Sequence, residues 1–529
     1  MLHGVARATR NPEAVNSSAV LLINPRMSAP SAVRLPLSIL NLAAVLDGQW
    51  PWSIVDGNLD PDPVGKALAA LRRAPHALVG VTVMPGPQVP TAIEISAAIR
   101  AAHPEVPIVW GGYFPTLYPD SAINAPYVDY VVRGQGEATL LDLLARLPDA
   151  GAPQGHDSAR DVSTIRDVAG LTWKKDGQAI HNPERPTLSP ETLPLLPYDR
   201  LPDVRTYLRP SFMGARTAVH QAALGCRFKC EFCGVVSMWN GKTLLDAPDR
   251  LQLALGTLRD RWGADGVQFY DHNFFDREES SVPVLEALGR LNMPWWCYAR
   301  ADTLARFSTA TWEKIRRSRM RMAYIGAEAA SDEVLARMRK GSKVAHTFEV
   351  AARCREYGVI PEFSFVLGGP EDPEGEIEKT FAFVRRVKEV NPQSEIVLYF
   401  YSPTPQRERG AARAASATPH LPVLRTYGPS GPALPATPEE WTEPKWMDFV
   451  CHQDAPWLTP RIRQRVKDFA QVISCRFPTV QDYQAPEIAK SFLRNLARWR
   501  YSLRRYENPW ELRLAQRFIR LREPKTESI

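Results

Sequence analysis

Cysteine is scarce in this chain, with seven in 529 residues. An odd number without framework-like spacing excludes a disulfide-stapled secreted scaffold, leaves the thiols reduced and makes the cytoplasm the expected compartment. Missing too is any apolar run of about 18 residues, which excludes a membrane-spanning helix, and residues 1–18 lack the apolar centre of a secretory signal. A formal charge of +7 is too small over this length to call for nucleic acid. What the chain has is length, enough for three or four domains of about 150 residues with separate cores.

Three of the few cysteines are bunched. Gly225-Cys226-Arg227-Phe228-Lys229-Cys230-Glu231-Phe232-Cys233-Gly234 is a C-x3-C-x2-C run that follows a strand-like stretch, 217–224. Thiolates so close suit an iron-sulfur cluster or zinc. A fourth cysteine is absent. Structural zinc closes with four protein ligands, whereas a cluster on three leaves one iron open to a small molecule. On the residues alone, a zinc knuckle completed by His220 or His272 is the alternative.

At these residues the chain resembles the radical S-adenosylmethionine (SAM) superfamily, whose signature is this spacing with an aromatic residue, here Phe232, before the last cysteine. The resemblance implies that Cys226, Cys230 and Cys233 hold a 4Fe-4S cluster. Its open iron would chelate the amino and carboxylate groups of SAM, and electron transfer would cleave SAM to a 5′-deoxyadenosyl radical.

Residues 1–148 alternate apolar runs (19–24, 52–56, 77–83, 108–111, 127–133) with helical patterns (37–46, 63–73, 91–102, 139–147), which predicts an α/β, Rossmann-like doubly wound parallel sheet with ligands at the strand carboxyl ends. Glycines fall where those strands end. This half resembles the cobalamin-binding domain that precedes the radical SAM domain in one large branch of the superfamily. The matching stretches are Leu21-Leu22-Ile23-Asn24-Pro25, Ile54-Val55-Asp56-Gly57-Asn58, Gly111-Gly112-Tyr113-Phe114-Pro115-Thr116 and 129–137, which ends Gly134-Gln135-Gly136-Glu137. The resemblance implies a corrin packed on the strand ends, its nucleotide tail near Gly111, Gly112, Gly134 and Glu137. There is no Asp-x-His-x-x-Gly loop, which implies cobalamin without a histidine below the cobalt.

Residues 149–210 read as a linker with a small hairpin over 171–180, turned at Asp176-Gly177. Over 211–405 the alternation restarts, with strands expected at 217–224, 266–270, 295–299, 322–327, 362–367 and 396–401. Six βα units predict a partial (β/α)6 TIM-type barrel with its site at the strand carboxyl ends. The resemblance assigns Asp271, after the second strand, to the SAM amino group, where a carboxylate suits an ammonium. It assigns Glu328, in a Gly-x-Glu element with Ala329 in place of the usual serine, to the ribose or amino group, and Gly368 and Gly369 to the adenine. Arg300 and Asp302 either pair or reach the SAM carboxylate. His272 is a candidate proton donor or acceptor.

Residues 406–529 are expected to form a helical substrate-binding cap, with a lid over 411–435, helices over 438–441, 459–473 and 485–506, and Trp441, Trp446, Phe449 and Trp457 lining a pocket. Arg494, Arg498, Arg500, Arg504 and Arg505 alternate with Leu496, Trp499, Tyr501 and Leu503 in a basic amphipathic tail. It reads as a packed terminal helix with a solvated basic face, or as a peripheral contact with an anionic membrane.

Together the resemblances imply a cobalamin-dependent radical SAM enzyme of the class B methyltransferase type, related to the branch of the anaerobic magnesium-protoporphyrin monomethyl ester cyclase. One SAM would methylate the corrinoid, a second would generate the radical, and methyl would pass to an unactivated carbon or phosphinate phosphorus of a small molecule. A reducing partner such as flavodoxin or ferredoxin is implied. A radical cyclase, oxidase or rearrangement enzyme is the alternative on the same fold. An iron-sulfur electron carrier with a partner-binding amino-terminal domain is the alternative from another class.

Overall fold

A computed structural model describes residues 18–147, 165–239, 241–401, 434–452 and 457–519. The first half is built on five parallel strands, β1 (Ala19–Asn24), β2 (Trp52–Asp56), β3 (His76–Thr82), β4 (Ile108–Gly111) and β5 (Tyr130–Val132), in the order β2-β1-β3-β4-β5. Strands β1 and β3 sit centrally and are buried on both faces, which is why they read as unbroken apolar runs. Helices Leu37–Leu46 and Glu137–Leu144 cover one face, and Pro63–Arg73 and Gln88–Ala102 the other. Asp62 caps the third of these by accepting from the Gly65 amide at 2.8 Å, with Pro63 at its first position. The order in which strands are added reverses between β1 and β3, so the ligand crevice of such a sheet opens at their carboxyl ends.

The hairpin expected in the linker joins this sheet. Strands β6 (Leu171–Lys175) and β7 (Gln178–His181) extend it antiparallel from β5, through the turn at Asp176 and Gly177, both of positive φ. Leu171 and Trp173 bury against the first domain, so the ribbon belongs to its core although it was expected beyond residue 148. The boundary at 148/149 and most of the 411–435 lid lie outside the described residues.

The second sheet runs β8 (Arg209–Ser211), β9 (Gly214–His220), β12 (Gly266–Phe269), β13 (Trp295–Arg300), β14 (Met320–Glu328), β15 (Ile360–Leu367) and β16 (Glu395–Phe400), parallel throughout except for β8. These are the six expected barrel strands with one edge addition. One difference bears on the site. The run expected as a single strand over 217–224 breaks after His220, and Ala223–Gly225 (β10) turns away to pair antiparallel with Thr243–Leu245 (β11). The cause is Asp271, whose Oδ1 accepts from the amides of Ala222 and Ala223 at 2.8 and 2.7 Å.

Beyond β16 the chain does not stay on the barrel. Trp441 and Trp446, expected at the barrel mouth, are buried in the core of the first domain, with Trp441 4.2 Å from Tyr118 between ring centroids. Their apolar area is satisfied by Phe114 and Tyr118, and Tyr127 bonds Glu439 at 2.7 Å. The side chain of Phe449 lies outside the described residues. Helix Pro460–Arg476 then packs on the barrel, stacking Phe469 on Phe381 at 3.8 Å, and carries Glu487–Leu496, Arg498–Ser502 and Trp510–Phe518 on its far side.

Candidate functional site

The cysteine loop opens at Gly225, whose φ of +76° and close approach to Trp239 Cβ (2.8 Å from an ideal Cβ) exclude any side chain. Cys230 is buried, and Cys226 and Cys233 are half-buried. Enough protein surrounds Cys233 that desolvation raises its thiol to about 12, with the nearby Cys230 and Cys226 adding to the rise. The three sulfurs therefore sense one another. Among the described residues, no three His, Cys, Asp or Glu groups are gathered closely enough to hold a single ion. Thiolates bound to separate irons of one cluster do not share an ion and stand further apart.

A buried cation backs the loop. Arg300, at the end of β13, donates through Nη1 to Cys230 Sγ at 3.4 Å, and its guanidinium lies 3.5 Å over the Phe228 ring. Its Nε donates to Asp302 Oδ1 at 2.9 Å and its Nη2 to the Lys340 carbonyl. Of the two readings of Arg300 and Asp302, the structure shows the pair. Lys340, which nothing in the sequence singles out, buries its ammonium 2.6 Å from Glu328 Oε1 and 5.8 Å from the Phe232 ring centroid. Glu328 takes a left-handed backbone (φ +63°), which is costly without glycine and recurs at functional sites.

Asp271 is buried, and burial raises its carboxyl to about 7 despite the two amides on Oδ1. Its Oδ2 is buried with no hydrogen-bond partner. His272 is held near 4 by burial, so it is neutral, and its Nδ1 accepts from the Gly225 amide at 3.3 Å. It anchors the loop. His220 is also neutral, near 4, and its Nδ1 bonds the Tyr198 hydroxyl at 2.9 Å.

Gly368 and Gly369 end β15 as expected, but their surroundings are this chain's own. Leu458 fills the space where a Gly368 side chain would stand, Trp457 donates to the Gly368 carbonyl at 2.8 Å, and the Gly369 amide donates to Glu376 at 3.1 Å.

In the first domain, Gly112 follows β4 with φ +96°, and a Cβ there would lie 3.0 Å from Thr82 Oγ1, beside the end of β3. Gly111 ends β4 against Val132. The Gly134 amide donates to Thr116 Oγ1 at 2.9 Å, and Glu137, buried with its carboxyl pushed up by desolvation, starts the helix after β5. These glycines gather at the strand ends where the crevice opens. Helix Tyr113–Leu117 then packs against Val235–Trp239, the helix after the cysteines. Burial raises the Tyr113 hydroxyl, and the nearby Cys233 raises it further. The Gly111-Gly112 turn and the cysteine loop thus meet at one place. Tyr113 was not legible as a site residue, because contact across two domains leaves no local pattern.

Residues 33–144 match the B12 binding domain family and residues 222–384 the radical SAM superfamily. The chain carries a B12 binding domain followed by a radical SAM domain. It is similar to an uncharacterized methyltransferase of Pyrococcus horikoshii, 22% identical over 66% of this chain and 73% of that one. The anaerobic magnesium-protoporphyrin IX monomethyl ester cyclase of Synechocystis is 25% identical over 51% of this chain, which spans about half (52%) of the cyclase. The structure of the radical SAM methyltransferase TsrM from Kitasatospora setae, solved with tryptophan substrate and aza-SAM, superposes with a TM-score of 0.61 at 17% identity, covering 95% of this chain and 98% of that one.

The residues fit the cofactors these domains imply. Three thiols and a guanidinium suit a three-cysteine 4Fe-4S cluster, and the partnerless Asp271 Oδ2 suits an ammonium such as that of SAM. The two histidines of residues 18–147, His76 and His103, lie at the start of β3 and after the helix Gln88–Ala102, away from the strand carboxyl ends. Neither histidine is placed at the strand ends where a corrinoid would be held.

Proposed function

We propose that this chain is a cobalamin-dependent radical SAM methyltransferase that transfers a methyl group to an unactivated carbon, or a phosphinate phosphorus, of a small molecule. The observation that supports it is the abutment of the Gly111-Gly112-Tyr113 turn on the cysteine loop, which sets a corrinoid crevice against a SAM-binding cluster loop. When bound, the cluster supplies the electron that cleaves SAM and the corrinoid carries the methyl group.

In this reading Cys226, Cys230 and Cys233 hold the cluster, and Arg300 stabilises the Cys230 thiolate by a charge-assisted bond. Asp271 accepts the SAM ammonium on Oδ2. Glu328 accepts from the ribose or ammonium, with Lys340 pairing with it and holding it in place. Phe232 shields the cluster beside Lys340, and Gly368 and Gly369 let backbone approach the adenine. Gly111, Gly112 and Gly134 give the corrinoid a surface without side chains, and Glu137 fixes the last turn. As in other radical SAM enzymes, a small-molecule substrate and a reductant are required, and flavodoxin or ferredoxin is the proposed reductant class.

Similarity to the cyclase favours radical ring closure as the second reading. The test is anaerobic incubation of cluster-reconstituted, cobalamin-loaded protein with dithionite and methyl-labelled SAM. Label on the corrinoid together with 5′-deoxyadenosine is expected, and both should be lost in the Cys226→Ala, Cys230→Ala, Cys233→Ala protein. Deoxyadenosine without label on the corrinoid would favour cyclisation. Neither product would leave an electron carrier.

A further inference from the structure

The last three helices expose apolar side chains in a pattern the packed core does not explain. On Glu487–Leu496 and the short helix Arg498–Ser502 that follows it, Ile488 (87% exposed), Phe492 (54%) and Trp499 (44%) recur at intervals of four and seven. Along Trp510–Phe518, Trp510 (62%), Leu514 (49%) and Phe518 (82%) recur every four. Such intervals draw one stripe on a helix. The residues facing inward, Leu493 and Ala497 on the first helix and Leu512 on the second, pack together against Val472 and Cys475 of Pro460–Arg476. Both helices thus rest on the same supporting helix, with these exposed side chains turned away from that packed seam. Leu503, 63% exposed, projects from the connection between them.

The surface around the stripes is basic. Residues 487–519 hold eight Lys and Arg against three Glu, so they carry most of the chain's formal excess of +7. Arg498, Arg504, Arg505 and Arg517 are exposed and form no ion pair among the described residues. Beside Trp499 a groove of about 730 Å³ opens toward Phe381 and is lined by six arginines, Arg385, Arg386, Arg465, Arg500, Arg504 and Arg505, against three glutamates. Arg465 is neutralised by Glu378 at 2.7 Å and Arg500 by Glu511, which leaves the others in excess.

We propose that this face docks on an anionic phospholipid bilayer, with Phe492, Trp499, Trp510 and Phe518 entering the interface and the arginines of the groove and rim meeting lipid phosphates. Two features select this occupant. A patch of aromatics at two helical stripes is larger than solitary surface apolar residues, and aromatics favour the membrane-water boundary. Unpaired arginines beside them complement an anionic surface, the pattern of helices that lie in the interface plane. No described helix is long and apolar enough to cross the membrane, so the contact is peripheral. The proposal does not depend on the reaction at the cysteine loop.

The test is co-sedimentation of the full chain, cluster loaded, with phosphatidylcholine vesicles with and without phosphatidylglycerol. Binding is expected only with the anionic lipid, weakening as salt rises, with a blue shift of tryptophan emission. Arg504→Gln with Arg505→Gln should weaken binding roughly thirtyfold. Phe492→Ser with Phe518→Ser should abolish it while SAM cleavage persists, since these side chains are exposed and remote from the core. Failure of the wild type to pellet with anionic vesicles overturns the proposal. So does a wild-type dimer that the Phe pair converts to monomer without vesicle binding, which would mean a second copy covers the face. Binding that appears only after residues 520–529 are removed overturns it too, assigning the face to the chain's own end.

Discussion

Asp271 has one oxygen held by two amides and the other buried without a partner, so its charge state matters to both stability and ligand binding. Its folded pKa of about 7 lies above the unfolded value of 3.8. Between them the folded chain holds a proton at Asp271 that the unfolded chain lacks, so this group's contribution to stability falls as pH rises from about 4 to about 7 and then levels. His220 and His272, held neutral near 4, act in the opposite direction, so the test is differential: in urea unfolding of the apo-protein, the change in stability from about pH 5 to about pH 8 is expected to be more favourable in Asp271→Asn than in the wild type. Lys340 and Glu328 give a second test. Lys340→Met leaves a buried carboxylate unpaired and should cost about 3–5 kcal/mol in the same assay, part of which returns in Lys340→Met with Glu328→Gln. The carboxylates were legible because they follow predicted strands in family-like motifs. Lys340 and Tyr113 were not, because a buried lysine and a contact between domains depend on packing that no local pattern encodes.

Among the elements, strand positions in both sheets followed directly from apolar runs that the parallel arrangement buries on two faces. The break at His220 did not, because Ala222, Ala223 and Leu224 suit a strand and only the carboxylate of Asp271, some fifty residues later, turns them aside. The carboxyl-terminal segment shows the same limit at larger size. Trp441 and Trp446 are expected to line a pocket at the barrel mouth, whereas both are core side chains of the first domain, where Phe114 and Tyr118 receive Trp441. Trp441→Ala should therefore cost about 3–5 kcal/mol and make residues 434–452 sensitive to limited proteolysis without removing the cluster. A cap confined to the barrel mouth would show neither effect on the first domain.

For the whole molecule, this returning segment acts as a strap, so the two sheets are joined both through the linker and through 434–452. Tyr207, in the linker, lies beside Asp56 at the end of β2, so linker and crevice are close there too. Such ties hold the Gly111-Gly112 turn against the cysteine loop, and the account depends on that abutment, because methyl transfer requires the corrinoid and SAM to share one enclosed space. The measurement that tests this most directly is the iron and corrinoid content of anaerobically reconstituted protein after incubation with hydroxocobalamin and gel filtration. About four irons and about one corrinoid per chain are predicted, with the corrinoid lost and the iron kept in Gly112→Leu. Iron without corrinoid in the wild type would contradict the account and assign the first domain to substrate or partner binding.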